Sequence, residues 1–238
     1  MKFEKDIEGS LEKEYLEHPI FTQLDYYADF YDSLSFSIMG FISMGTSAIT
    51  NINTYAYSSM KGTIESIKDI LKKGRINDAY ALLRKYYDST IINIYADLYL
   101  QDNWNIDNFI VSKIDKWLKG VETIPEYRII SNYIKDSHKL SSINKLVQRD
   151  DRYKKIRNRC NDHTHYNFYH HYLLNDNNIY NPNRVKYLNV FAKDIEAIFI
   201  LHFAYTFYLN DHYMMSSDYI VSGRKLLFFK TRRKNQFR

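Results

Sequence analysis

Seven glycines and three prolines are all the helix breakers in a chain of 238 residues. Architectures built from strands and tight turns draw on these residues at each reversal. A chain this poor in them is confined to long helices joined by a handful of loops. The apolar pattern has the matching period. Phe3, Ile7, Leu11 and Tyr15 recur every fourth residue, and from Phe21 to about Ser59 apolar positions recur at three and four, with Gly40 and Gly45 as kink points. Ile64, Ile67, Ile70 and Leu71 form a further stripe, closed by Gly74 as a C-cap. Arg75 to Leu100 is the clearest helix, with Ile76, Ala79, Leu83, Tyr86, Tyr87, Thr90, Ile94 and Leu98 along one face. Further helices are expected up to Leu118, stopped by Gly120, from Glu126 to Asp136, over 141–160, and from about Arg184 to His212, with loops at 101–108 and 173–184. No segment alternates with period two, and no repeat recurs at a fixed spacing. The expectation is an all-α, up-and-down helical bundle with long first and last helices. Residues 1–59 are expected as an N-terminal helical extension packed on the bundle, 60–215 as the bundle itself, and 216–238 as a basic tail.

Several function classes recede on composition and charge. The longest weakly polar stretch, Phe36 to Ile49, has 14 residues and four hydroxyl side chains. A membrane span needs about 20 apolar residues, so this stretch reads as a buried helix and no membrane partner is expected. The N-terminus, MKFEKDIEGSLEKEYLE, is charged and lacks a signal's apolar core. A single cysteine, Cys160, rules out an intramolecular disulfide and fits a reducing cytoplasm. The net charge of +5 is unevenly placed: residues 219–238 hold seven Lys or Arg and no acid, leaving 33 − 7 = 26 basic against 28 acidic residues in the rest. A body of net −2 is no general nucleic-acid binder, and any polyanion site is a local patch or the tail. The tail is expected as a loosely held end, with a nucleic-acid-binding arm as its functional alternative.

Chemistry concentrates in KIRNRCNDHTHYNFYHH (155–171), which holds four of the eight histidines behind Arg157 and Arg159. Arg157 with His163, and Arg159 with His165, are each separated by five residues, an R-x(4–6)-H spacing. Residues six apart on a regular helix stand about 120° apart, so either pair converges only where the helix ends or bends. Asn161 and Asp162 bond readily to nearby backbone, which places the expected distortion there. A guanidinium fork fits phosphate oxygens, and an imidazole exchanges protons near neutral pH. Together they suit RNA cleavage without a metal: imidazole moves the proton, arginine answers the charge on phosphorus, and Asn161 orients the histidine or bonds a phosphate oxygen. Metal ligation by His163, His165, His170 and His171 is disfavoured, because zinc sites usually add Cys or carboxylates at definite spacings and the arginines repel a dication. No metal and no cofactor is expected. Cys160, on a buried helix face, reads as an inert small hydrophobe. The competing possibility is a chance pattern on an ordinary helix with surface histidines.

IRNRCNDHTHYN, after an all-helical N-terminal region, resembles the motif of the HEPN superfamily (higher eukaryotes and prokaryotes nucleotide-binding domains). GRINDAYALLRKYYDS (74–89) and the last long helix, DIEAIFILHFAYTFYLND, are similar to helices of such bundles, so that the resemblance covers roughly 60–215. It implies a metal-independent endoribonuclease acting on RNA in antiphage defence or a toxin–antitoxin pair, with an antitoxin or defence partner protein. It also implies a homodimer in which two motifs share a cleft. Carried over by position, Arg159 and His165 form one register. Arg157 and His163 form the other, with Asn158 in the place of the polar residue that often follows the family's arginine. His165-Tyr166-Asn167 looks like the helix-break end of the motif and favours Arg159/His165, while both registers stay open. The alternative is a non-catalytic HEPN-like module that binds RNA, a nucleotide or a partner protein.

Overall fold

Pro19 opens the first long helix: its carbonyl accepts the first turn's bond from the Gln23 N–H (3.1 Å), and its missing N–H costs nothing at a helix start. The computed structural model describes residues 11–39, 49–106, 110–147, 149–176 and 181–215. A short turn, α1 (Lys13–Leu16), precedes α2 (Ile20–Met39). Then come α3 (Ile52–Lys72), led in by a 3-10 turn at Ile49–Asn51, and α4 (Ile76–Asn103). The short helices α5 (Ser112–Leu118), α6 (Tyr127–Asp136) and α7 (Ser141–Val147) lead to α8 (Arg152–Thr164), α9 (His170–Leu173) and the long α10 (Arg184–Leu209), which ends in a 3-10 turn at Asp211–Met215. No strand occurs among the described residues. None of the described helices is long and apolar enough to cross a membrane.

Two of the expected stops lie where the sequence puts them. Gly74 (φ 73°) and Gly120 (φ 68°) take left-handed backbone just past α3 and α5. At Gly74, the Arg75 N–H reaches the Ile70 carbonyl (3.2 Å) and the Gly74 N–H the Leu71 carbonyl (2.8 Å), the paired bonds that close a helix on a left-handed residue.

Contacts between helices give their directions. Asp25 with Lys68, Asp32 with Lys61 and Ser35 with Thr54 run α2 against α3. Tyr80 with Asp194, Asn93 with His202 and Asp97 with Asn210 run α4 alongside α10. Asn77 meets His163 at one end of the seam between α4 and α8. At the other, Arg157 and Arg84 both lie against the Tyr127 ring, so α8 runs against α4. The bundle is therefore up (α2), down (α3), up (α4), down (α8), up (α10), the all-α arrangement that the breaker-poor sequence predicts.

The core is unusually aromatic. Tyr27 stacks on Phe199 at 4.0 Å, and Phe30 packs edge-on to the same ring at 5.1 Å. Buried tyrosines need partners for their hydroxyls. Here Tyr86, Tyr31, His202, Asn93 and Asn53 form a continuous hydrogen-bonded chain through the bundle, ending on the Tyr213 hydroxyl.

The segment expected as one helix over 141–160 is two. Asp150 explains the break: its carboxylate accepts the Arg152 backbone N–H (2.9 Å), a local bond that competes with helix continuation. Helix α3 runs straight through position 59, where the extension was expected to meet the bundle, and α2 shares one core with α4 and α10. The expected helix over 3–18 is described only from residue 11. Gly40, Gly45 and the basic tail at 216–238 lie outside the described residues.

Candidate functional site at the end of helix α8

Helix α8 buries Ile156, Cys160 and His163, at spacings of four and three, so that one stripe faces the bundle. The Cys160 thiol is pushed up to about 12, by burial first and then by the Asp194 charge, and carries no thiolate at neutral pH.

Beside that stripe, Arg159 reaches across to α10. Its guanidinium is hydrogen-bonded to the Asp194 carboxylate, which also accepts the Tyr80 hydroxyl at 3.3 Å. The Asp194 side chain is 8% exposed and the Arg159 side chain 36%. Burial opposes the guanidinium's charge, and the Asp194 hydrogen bond and charge more than answer it, so the pKa is raised. Asp194 is itself pushed up by burial against the pull of Arg159.

One turn later His163 is only 3% exposed. Its Nδ1 donates to the Asn77 side-chain oxygen (2.8 Å), and its ring lies between Tyr80 and His171, each stacked at 3.9 Å. Burial first, then the positive charge that His171, His170 and Arg159 would bring against it, lowers the His163 pKa to about 3. This imidazole is neutral at physiological pH and poorly matched to general acid work there. His171 is buried as well and donates from Nδ1 to the Asp162 carbonyl (3.0 Å); a carbonyl only accepts, so the proton sits on Nδ1.

The helix passes through Asn161 without interruption and ends at Thr164. The bend expected at Asn161 is absent because Ile156, Cys160 and His163 hold the helix against the bundle on both sides of it. The end itself is a paired closure: the Tyr166 N–H bonds the His163 carbonyl (3.3 Å), and the Asn167 N–H bonds the Asp162 carbonyl (3.0 Å). Tyr166 takes the left-handed position (φ 51°) that glycine usually fills. Its ring stacks on Tyr172 at 4.3 Å and its hydroxyl accepts from the Asn175 amide (3.3 Å), contacts that offset the backbone cost.

His165 caps this end and is exposed. Seven residues from Asn158, it continues that residue's line along the helix, and the exposed Lys154, Lys155 and Asn158 lead to it. Arg157 occupies a third direction. Its guanidinium lies 3.7 Å from the Tyr127 ring centroid, and its buried Nε has no hydrogen-bond partner among the described residues. Asn161 is half-buried. The structure thus brings Arg159 together with His163, one member from each register, and sets His165 with Asn158 on the solvent side.

Sequence reasoning missed Asn77, Tyr80, Asp194 and the burial of His171. Asp194 had one signal, its place three residues after Phe191 and four before Ile198 on the buried stripe of α10, but Lys193 and Glu196 beside it make the run read as a solvated charge cluster. Among the described residues, no group of three or more His, Cys, Asp or Glu side chains gathers as metal ligands would. A groove of about 660 Å³ between α7, the start of α8 and α10 is floored by Ile143, Val147, Ile200 and Ala204. It lies at the opposite end of α8 from His163, about 15 Å away by helix rise. No protein-family model, curated protein or solved structure matches the chain.

Proposed function

We propose that the chain is a HEPN-like helical endoribonuclease that cuts RNA without a metal, with His165 as its solvent-facing acid or base. The observation that carries this is the exposed His165 imidazole at the capped end of α8, in line with Lys154, Lys155 and Asn158. That stripe offers phosphates a cationic path up to a group able to move a proton. In the reaction, His165 takes the 2′-hydroxyl proton. The 2′-oxygen attacks phosphorus, and the 5′-oxygen leaves with a proton from a second acid. The products are a 2′,3′-cyclic phosphate and a 5′-hydroxyl. Asp194 engages Arg159, so charge on the phosphate falls to Arg157, which has no carboxylate hydrogen bond among the described residues, or to a second motif across a homodimer. The setting is the cytoplasm of a cell under phage attack or holding a toxin–antitoxin pair.

The test is cleavage of end-labelled RNA by the full chain in EDTA. Wild type is expected to leave 2′,3′-cyclic phosphate ends, and His165→Ala to cut about 10²–10⁴-fold more slowly. EDTA-sensitive cleavage with 5′-phosphate ends rejects the mechanism. The second reading, a non-catalytic RNA-binding module, is favoured by the Arg159–Asp194 pair, which takes one of the motif's arginines out of play. Tight RNA binding without cleavage by wild type selects it.

A further inference from the structure

The turn that follows His165 carries a second feature. Phe168 (53%), Tyr169 (76%) and Tyr172 (55%) are exposed aromatic rings within five residues. Phe168 lies parallel to His170 at 5.8 Å, and His170 in turn lies parallel to Tyr187 at 5.8 Å. Tyr172 is backed by Tyr166 at 4.3 Å, and Tyr169 tilts against Tyr172 at 6.2 Å. The paired closure of α8 fixes the start of this turn, and the His171 bond to the Asp162 carbonyl ties its middle to the helix. The rings are therefore presented on a held backbone.

Charge identifies the occupant. Residues 152–172 hold five Lys or Arg and one Asp, a net of +4; Arg152 pairs with Asp150 and Arg159 with Asp194, so the exposed cations of the stripe are Lys154 and Lys155. Residues 1–218 hold 26 basic and 28 acidic side chains, so without this segment they sum to 21 − 27 = −6. A cationic stripe on an acidic body ends at aromatic rings with no exposed aliphatic side chain between His165 and Tyr172. A protein interface large enough to be stable takes about 20–30 residues a side, far more than this one turn. Flat rings beside a phosphate-attracting stripe match the stacking surfaces that hold unpaired bases.

We infer that Phe168, Tyr169 and Tyr172 form a base-stacking subsite that seats unpaired nucleobases of an RNA strand beside His165. The inference rests on the RNA-directed function proposed above. The rings act as positioning residues: they place the strand and leave proton transfer to His165.

The test is fluorescence anisotropy of the full chain with a 12-nucleotide 2′-O-methyl strand, which the proposed mechanism cannot cut. The same strand with abasic sites, and the same strand in a duplex, serve as comparisons. Wild type should bind the base-carrying strand about ten-fold or more tighter than the abasic one, with the duplex behind both. Tyr169→Ala and Phe168→Ala should each lose about ten-fold on the base-carrying strand and leave the abasic strand unchanged, while Tyr169→Trp retains binding. Lys154→Gln with Lys155→Gln should weaken both strands alike and lower the salt dependence, separating charge from stacking. Equal binding of base-carrying and abasic strands overturns the subsite and leaves the RNA-directed function standing. Binding to none of the strands overturns that function and the subsite with it. A changed sedimentation of Tyr169→Ala with unchanged strand binding makes the patch an interface between copies, and the subsite is wrong.

Discussion

Two positions separate His163 from His165, and the helix end between them decides what each can do. His163 stands within the last turn of α8, sealed between two rings and bonded to Asn77. Its replacement by alanine removes a buried stacked ring and leaves the Asn77 amide short of a partner. The expected cost is about 2–3 kcal/mol in urea denaturation. His165→Ala, at an exposed cap, should stay within about 0.5 kcal/mol. Equal costs for the two would contradict the assignment of His163 to structure. Asp194→Asn tests the other inward residue. Removing one partner of a fully buried ion pair costs about 3–5 kcal/mol. Arg159 keeps a third of its side chain in water, so solvent screening reduces the expected loss here to about 2 kcal/mol.

At the scale of elements, the helix inventory was legible because periodicity and breakers are local. Gly74 and Gly120 stop α3 and α5 as expected, and Ile76 to Leu98 trace the buried face of α4. What the sequence hid was set by neighbours in space. The orientation of α8 depends on Asn77 and Tyr80, 83 or more positions before His163 in sequence, and nothing in the spacing of Arg157, Arg159, His163 and His165 tells which of them faces those residues. The residues alone place a distortion at Asn161, because Asn and Asp favour irregular backbone, and only the family resemblance points to His165-Tyr166-Asn167 as the break. Packing by Cys160 and His163 overrode that tendency and pushed the end to Tyr166, a tyrosine where glycine would have been the legible signal. The seam between α4 and α8 is open to a direct check. Asn77→Leu leaves the His163 Nδ1–H without its acceptor and should cost about 1–3 kcal/mol. In a double-mutant cycle with His163→Ala, the two changes should couple by about 0.5–3 kcal/mol. Strict additivity would show that the Asn77 bond does not hold the helix end.

At the scale of the whole molecule, the buried polar chain links stability to pH. Burial lowers His202 to about 3 from the ordinary 6.5, so the folded protein holds it neutral while the unfolded chain takes up a proton below pH 6.5. Its stabilising contribution is full above that value and is lost as the pH falls toward 3, at about 1.4 kcal/mol per pH unit. Asp97 works the other way. Burial raises it to about 6 from 3.8, against its bonds to Asn53 and Asn210, so it favours the fold more as the pH falls from 6 toward 4. The stability advantage of wild type over His202→Gln should therefore shrink by about 1.4 kcal/mol per pH unit below 6.5, followed by urea midpoints between pH 7 and 5. A constant difference across that range would contradict a neutral His202. The bundle in this account is a rigid frame in which Arg159 and His163 hold α8 in place so that His165 meets solvent at its end. The most direct measurement is the initial rate of RNA cleavage in EDTA by His165→Gln and His163→Gln, each at a temperature where both are folded by circular dichroism. His165→Gln is expected to lose about 10²–10⁴-fold while His163→Gln keeps activity within about ten-fold of wild type. Full activity in His165→Gln with loss in His163→Gln would contradict proton transfer by His165.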